Sequence, residues 1–145
     1  MKSYRFRLAH VERIRALEER VARERFLTSL RALRQAESAY HRAREALRAS
    51  EAPSGVLSSG ELAWLGDQAE RRAHAERQCF AALARAAQAN DLDRESWREA
   101  AKRARALERL DERARVEWLD DYRREEAMEL DDVVNARYVP AGVKP

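Results

Sequence analysis

At 145 residues, with 38% charged side chains and a mean hydropathy of -0.77, the chain is one domain at most, and 7% aromatics exclude a thick globular core. Its 45% hydrophobic content is too high for a simple disordered tail, and the excess of Ala, Arg, Glu and Leu marks a coiled coil or long helix. No stretch reaches the ~20 apolar residues a membrane span needs, the charged start has no apolar signal core behind it, and one cysteine excludes an internal disulfide.

The chain therefore reads as cytoplasmic and helical, and its helix breakers divide it. All four glycines and three prolines lie within residues 53–66 or 140–145. Inside a helix Gly costs about 1 kcal/mol and Pro about 3 kcal/mol relative to Ala, so their segregation acts as punctuation. The expected fold is all-α: an antiparallel two-helix coiled-coil hairpin in a single domain, with the second helix longer. Helix 1 is expected over about 5–50, a turn over 51–60, helix 2 over about 61–136 and a flexible tail over 137–145.

Helix 1 is expected to open near Tyr4 or Phe6. Val11, Ile14, Glu18 and Val21 alternate three and four apart; after a phase slip so do Leu30, Leu33, Glu37, Tyr40, Arg44 and Leu47. That spacing puts one narrow stripe on a helix. Pro53-Ser54-Gly55 ends it. Two capping boxes could restart the chain, Ser58 with Glu61 and Asp67 with Glu70. The first is favoured, because Leu62 and Leu65 already join the next stripe and Gly66 is then a tolerated cost.

Helix 2 carries the longer alternation: Leu62, Leu65, Ala69, Arg72, Glu76, Cys79, Leu83, Ala86, Asn90, Asp93, Trp97, Ala100, Ala104 and Leu107. Cys79 reads as a small packed residue and not a nucleophile. Asn90, at a core-type position, reads as a register-setting polar residue. A break at Asn90-Asp91-Leu92-Asp93 would give three helices, but the alternation runs through it, so helix 2 is expected to continue. At 1.5 Å per residue the helices measure roughly 68 Å and 110 Å. Pairing residue 5 near 105 leaves about 30 residues of helix 2, with Trp118, Leu119, Tyr122, Met128, Leu130, Val133 and Val134, without a partner helix. A partner outside the chain is expected to cover them; the alternative for Trp118 and Tyr122 is an offset register that packs them against the first residues of helix 1.

Charge follows the same division. Residues 1–50 carry thirteen Lys/Arg against six Asp/Glu, whereas residues 107–132 carry five against eleven. A basic start and an acidic end both oppose the helix dipole, so contacts with other surfaces are the expected reason. Despite a pI near 9.3, Arg13, Arg20, Arg23, Arg31 and Arg34 are interleaved with Glu12, Glu18, Glu19 and Glu24. No stacking platform accompanies them, so no nucleic-acid partner is expected. Nothing resembles a phosphate loop, and His10, His41 and His74 lack metal-ligand spacing. Paired acids such as Asp120-Asp121 read as solvated face. The chain is read as no enzyme, with no cofactor and no metal.

Three stretches together resemble the FliJ family, the central stalk of the flagellar type III export ATPase. They are Phe6-Arg7-Leu8-Ala9-His10-Val11-Glu12-Arg13-Ile14-Arg15 with Leu17-Glu18-Glu19, then Ser96-Trp97-Arg98-Glu99 with Lys102-Arg103 and Ala106-Leu107-Glu108-Arg109-Leu110. The third is Tyr122-Arg123-Arg124-Glu125-Glu126 with Glu129-Leu130-Asp131-Asp132. The resemblance implies a hairpin like the coiled coil of the rotary ATP synthase gamma subunit, whose free ends enter a hexameric export ATPase and promote its assembly and activity. It also implies contacts with the cytoplasmic part of the membrane export gate and with export chaperones, at the cytoplasmic face of the flagellar basal body. Trp118, Leu119, Tyr122, Arg5 and Arg7 would form the ring-inserted tip; Tyr40 and Leu47 would meet the gate from helix 1. Gln68, Arg72 and Ala75 on helix 2 are more polar or smaller than the family pattern. The free protein is expected to be a monomer, reaching the membrane only through partners. The alternatives are an injectisome stalk, or an adaptor coiled coil that self-associates.

Overall fold

The computed structural model describes residues 3–49 and 55–137. The expected turn residues Pro53 and Ser54 and the expected tail beyond residue 137 lie outside the described residues. Two helices follow in order, α1 (Ala9–Arg48) and α2 (Ser59–Arg137), 40 and 79 residues long, and no strand occurs among the described residues. The two helices pack against each other. No helix among the described residues is long and apolar enough to cross a membrane.

The punctuation acts where the polar residues supply hydrogen bonds. Ser58 caps α2: the Glu61 backbone N–H donates to Ser58 Oγ at 3.3 Å, and the Ser58 backbone N–H donates to Glu61 Oε2 at 2.7 Å. That reciprocal pair is the first of the two capping boxes. The Ser58 backbone N–H and then the Ser58 hydroxyl, both donating to its carboxylate, hold the Glu61 carboxyl below its ordinary value. Gly66 sits inside α2 in open space, with nothing within 4 Å of an added Cβ. The helix then passes through Asn90-Asp91-Leu92-Asp93 without a break. Ahead of α1, residues 3–6 are not helical, and the Ala9 N–H closes a turn onto the Phe6 carbonyl at 3.2 Å.

The chain forms two compact units, a middle one of Leu17–Ala101 and a terminal one of Met1–Ala16 with Lys102–Pro145. In the middle unit, Phe26 stacks on Trp97 with ring centroids 5.3 Å apart and planes 9° apart, and the Trp97 indole N–H donates to Glu19 Oε1 at 2.7 Å. Asn90, 6% exposed, donates from Nδ2 to Ser29 Oγ at 3.1 Å, and the Ser29 hydroxyl donates in turn to the Phe26 carbonyl. Tyr40 packs on Phe80 at 5.6 Å. Partners on α2 fall in residue number as those on α1 rise, so the helices run in opposite directions through this unit.

The half-buried residues of α1 in the middle unit are Glu19, Ala22, Phe26, Ser29, Leu33, Ala36, Tyr40, Ala43 and Leu47, joined only by Leu30 and Ala39 on the flank. Their alternation is unbroken, and the expected phase slip does not occur. Val21 is 41% exposed, and in the terminal unit Val11 and Ile14 are also exposed while Glu12 and Arg15 turn inward. The true stripe is thus one residue later than the apolar one. Its phase follows the Phe26–Trp97 stack and the carboxylate that the indole N–H requires, and hydrophobicity alone does not set it. On α2 the expected alternation holds from Glu76 through Ala100 in the middle unit, Cys79 included. Before Glu76 only Leu65 of the expected stripe is half-buried: Leu62, Ala69 and Arg72 are exposed, and Gln68 and Ala73 turn inward instead.

Candidate interaction surfaces

The terminal unit gathers most of the residues expected at a contact tip. On α2 its half-buried stripe runs Ala104, Leu107, Asp111, Ala114, Trp118 and Tyr122, with Ala104 the one buried apolar residue among those described. Tyr4 comes down on this stripe from the non-helical start. Its hydroxyl donates to Asp111 Oδ1 at 2.7 Å and lies 3.1 Å from the Asp111 carbonyl oxygen. Its ring packs on Trp118 at 5.9 Å, and Trp118 stacks on Tyr122 at 5.4 Å. Trp118 therefore has a partner inside the chain, contrary to the expectation of about 30 uncovered residues. The uncovered part of α2 begins after Tyr122: every residue in 123–137 is exposed. The cause is register, since Tyr4 reaches Asp111 and Trp118 and not the neighbourhood of residue 105.

Both phenols are held neutral. Partial removal from water, followed by the hydrogen bond and negative charge of Asp111, pushes the Tyr4 hydroxyl up to about 12. Tyr122 is raised chiefly because its hydroxyl hydrogen-bonds the Glu126 carboxylate, with that charge and partial desolvation adding to the effect. Neutral phenols remain donors at physiological pH, so the aromatic row is a fixed apolar strip with polar edges.

Beside it lies an open groove of about 580 Å³, floored by Phe6, Leu8, Leu110 and Ala114 and rimmed by Arg5, Arg7 and Arg113 against a single carboxylate, Glu117. Arg5 and Arg7 were expected at the tip, and the groove explains how they are presented: the first residues lie along α2 instead of extending α1. Tyr4, Phe6, Leu8 and Arg113 were not among the expected contact residues: Tyr4 and Phe6 entered as the expected start of helix 1, and Phe6 and Leu8 as part of the FliJ-like opening. Leu119 is 38% exposed, one residue round the helix from Trp118.

Tyr40 and Leu47 belong to the middle unit. Both are half-buried, and Tyr40 lies against Phe80, which is itself 57% exposed. The apolar surface there is thus a Tyr40–Phe80 pair, and Phe80 was missed because it stands next to Cys79 in the stripe. Gln68 turns inward while Arg72 and Ala75 are exposed. A second surface depression in this unit, along Asp67, Glu70, Arg71, His74 and Arg77, lies on one face of α2 and carries the Arg71–Asp67 ion pair. It is a solvated helix face. Among the described residues no group of three or more His, Cys, Asp or Glu side chains is placed to hold a metal. No family model matches the chain, and neither does any curated protein or solved structure.

Proposed function

We propose that the protein is a non-catalytic central stalk of a flagellar type III export apparatus, built as an antiparallel two-helix coiled-coil hairpin. The observation that carries this reading is the inequality of the two packed helices, 40 residues against 79, with α2 continuing exposed past Tyr122. A helix left bare in this way is marginal in water by itself and calls for an outside surface. The three FliJ-like stretches name the surface: the central hole of a hexameric export ATPase, entered by the terminal unit. In this reading Arg5, Arg7, Trp118, Leu119 and Tyr122 meet the ring, while Tyr40, with Phe80 and Leu47, faces the cytoplasmic part of the export gate. Export chaperones are further partners, and the site of action is the cytoplasmic face of the basal body.

The test is hydrolysis by the cognate ATPase. Full-length protein raises its rate and its oligomerisation; a chain ending at Leu110, which lacks Trp118, Leu119 and Tyr122, raises neither. An ATPase indifferent to the full-length protein would end the coupling proposal. A second reading, an adaptor that self-associates, draws on the exposed Met128, Leu130, Val133 and Val134. Light scattering separates the two: a monomer at all concentrations fits the stalk, and a stable dimer fits the adaptor.

A further inference from the structure

The end of α2 carries a second stripe that α1 does not use. Val116, Leu119, Arg123, Glu126, Leu130, Val133 and Arg137 alternate three and four apart and so share one face of the helix. Leu119 and Arg123 each follow an inward residue, Trp118 and Tyr122, by one position, which turns this face about 100° around the helix from them. The apolar members, with Val134 beside them, are between 38% and 65% exposed. The spacing is that of a helix seam, and the charged residues within it do not disqualify it. On α1 of this same chain the inward stripe holds Glu12, Arg15 and Glu19.

The surrounding charge selects the occupant. Residues 117–132 hold eight Asp/Glu and two Arg. Both arginines are engaged within the helix, Arg123 with Asp120 at 3.7 Å and Arg124 with Asp121 at 3.5 Å. The negative charge left over repels nucleic acid and anionic lipid, and it favours a cationic surface. We infer that this face of α2 docks a basic amphipathic helix of another protein, whose apolar residues at three-four spacing pack on Leu119, Leu130 and Val133 while its Lys and Arg meet the flanking carboxylates. Leu119 and the bare end of α2 are shared with the proposed ring contact, but the inference rests on the face and its charge and its test needs no ATPase, so either can fail without the other.

The probe is a labelled peptide of about 21 residues, three heptads, with leucine at alternating three- and four-residue spacing and lysine or alanine elsewhere. Fluorescence anisotropy with the full-length chain at about 0.15 M salt reads the binding. Saturable binding is expected, weakened about tenfold or more by the double variant Leu130→Ser/Val133→Ser, since two buried apolar side chains are lost from the contact. The variant's helix content, checked by circular dichroism, stays as in the wild type because both residues are exposed. Absence of binding overturns the inference. So does equal binding by the double variant, by a peptide of the same composition with its leucines scattered, or by a peptide with glutamate in place of lysine. Sedimentation of the chain alone completes the test: a dimer that disappears in the double variant would make the occupant a second copy and also overturn it.

Discussion

The middle and terminal units solve one problem, how a thin pair of helices holds together, in different ways. In the middle unit the helices are joined by specific cross-contacts: a stacked Phe26–Trp97 pair with its indole N–H satisfied, and a buried Asn90 amide on Ser29. In the terminal unit a non-helical segment is pinned to α2 by one tyrosine, leaving an arginine-rimmed groove and a length of bare helix. Stability is thus concentrated in the middle unit, and unsatisfied surface in the terminal one. Elements that bind partners are drawn from the less stable parts of a fold, and the proposed stalk contacts follow that division.

Four changes would break or sharpen that contrast. The largest effect is expected from Trp97→Ala, which removes the stack on Phe26 and leaves Glu19 without its donor. Because Trp97 is only half-buried, the loss is set at about 2–3 kcal/mol, at or below the usual range for a truncated core aromatic. A urea midpoint unchanged by this substitution would contradict the placing of stability in the middle unit. Asn90→Ala is next, at about 1 kcal/mol, because Ser29 loses one bond but still donates to the Phe26 carbonyl. A gain in stability would show that the Asn90–Ser29 bond contributes nothing net.

How much of this was legible beforehand follows from the same residues. The α2 stripe could be read from Glu76 onward because Leu83, Ala86, Trp97 and Ala100 keep regular spacing in a breaker-free stretch. On α1 the apolar Val11, Ile14 and Val21 outweighed Glu12, Arg15 and Glu19, since pattern reading scores hydrophobicity and cannot see that an indole N–H wants a carboxylate. Trp118 was recognisable as a contact residue, and packing against the first residues of the chain was one of its two readings, but Tyr4 was not singled out as the residue that does it. Tyr4 reaches Asp111 across 107 residues of sequence from a segment with no periodicity, and the groove arises from that one placement.

A change of opposite sign tests the α2 backbone. Gly66→Ala is expected to stabilise the middle unit by about 1 kcal/mol, because the site is helical with open space around an added Cβ. Thermal melts that fall instead would indicate a need for glycine there. The smallest effect is spectroscopic. Tyr4 is raised from 10.0 to about 12, so its contribution to folding is complete below pH 10 and is lost as the pH climbs towards 12. Following tyrosinate absorbance near 295 nm, Tyr4→Phe removes a late-ionising phenol and leaves the earlier part of the titration unchanged. If the missing amplitude falls near pH 10, Tyr4 is not held on Asp111 in solution.

The Asn90 amide has a mechanical consequence. Sliding α1 by one heptad along α2 would set Asn90 opposite Ala22 or Ala36 in place of Ser29. Neither alanine offers a hydroxyl, and a buried amide without a partner is costly. Much of the stripe is alanine, which would slide past itself with little resistance. A single polar residue therefore acts as a detent, so that axial load on one helix is passed to the other and not lost as slip.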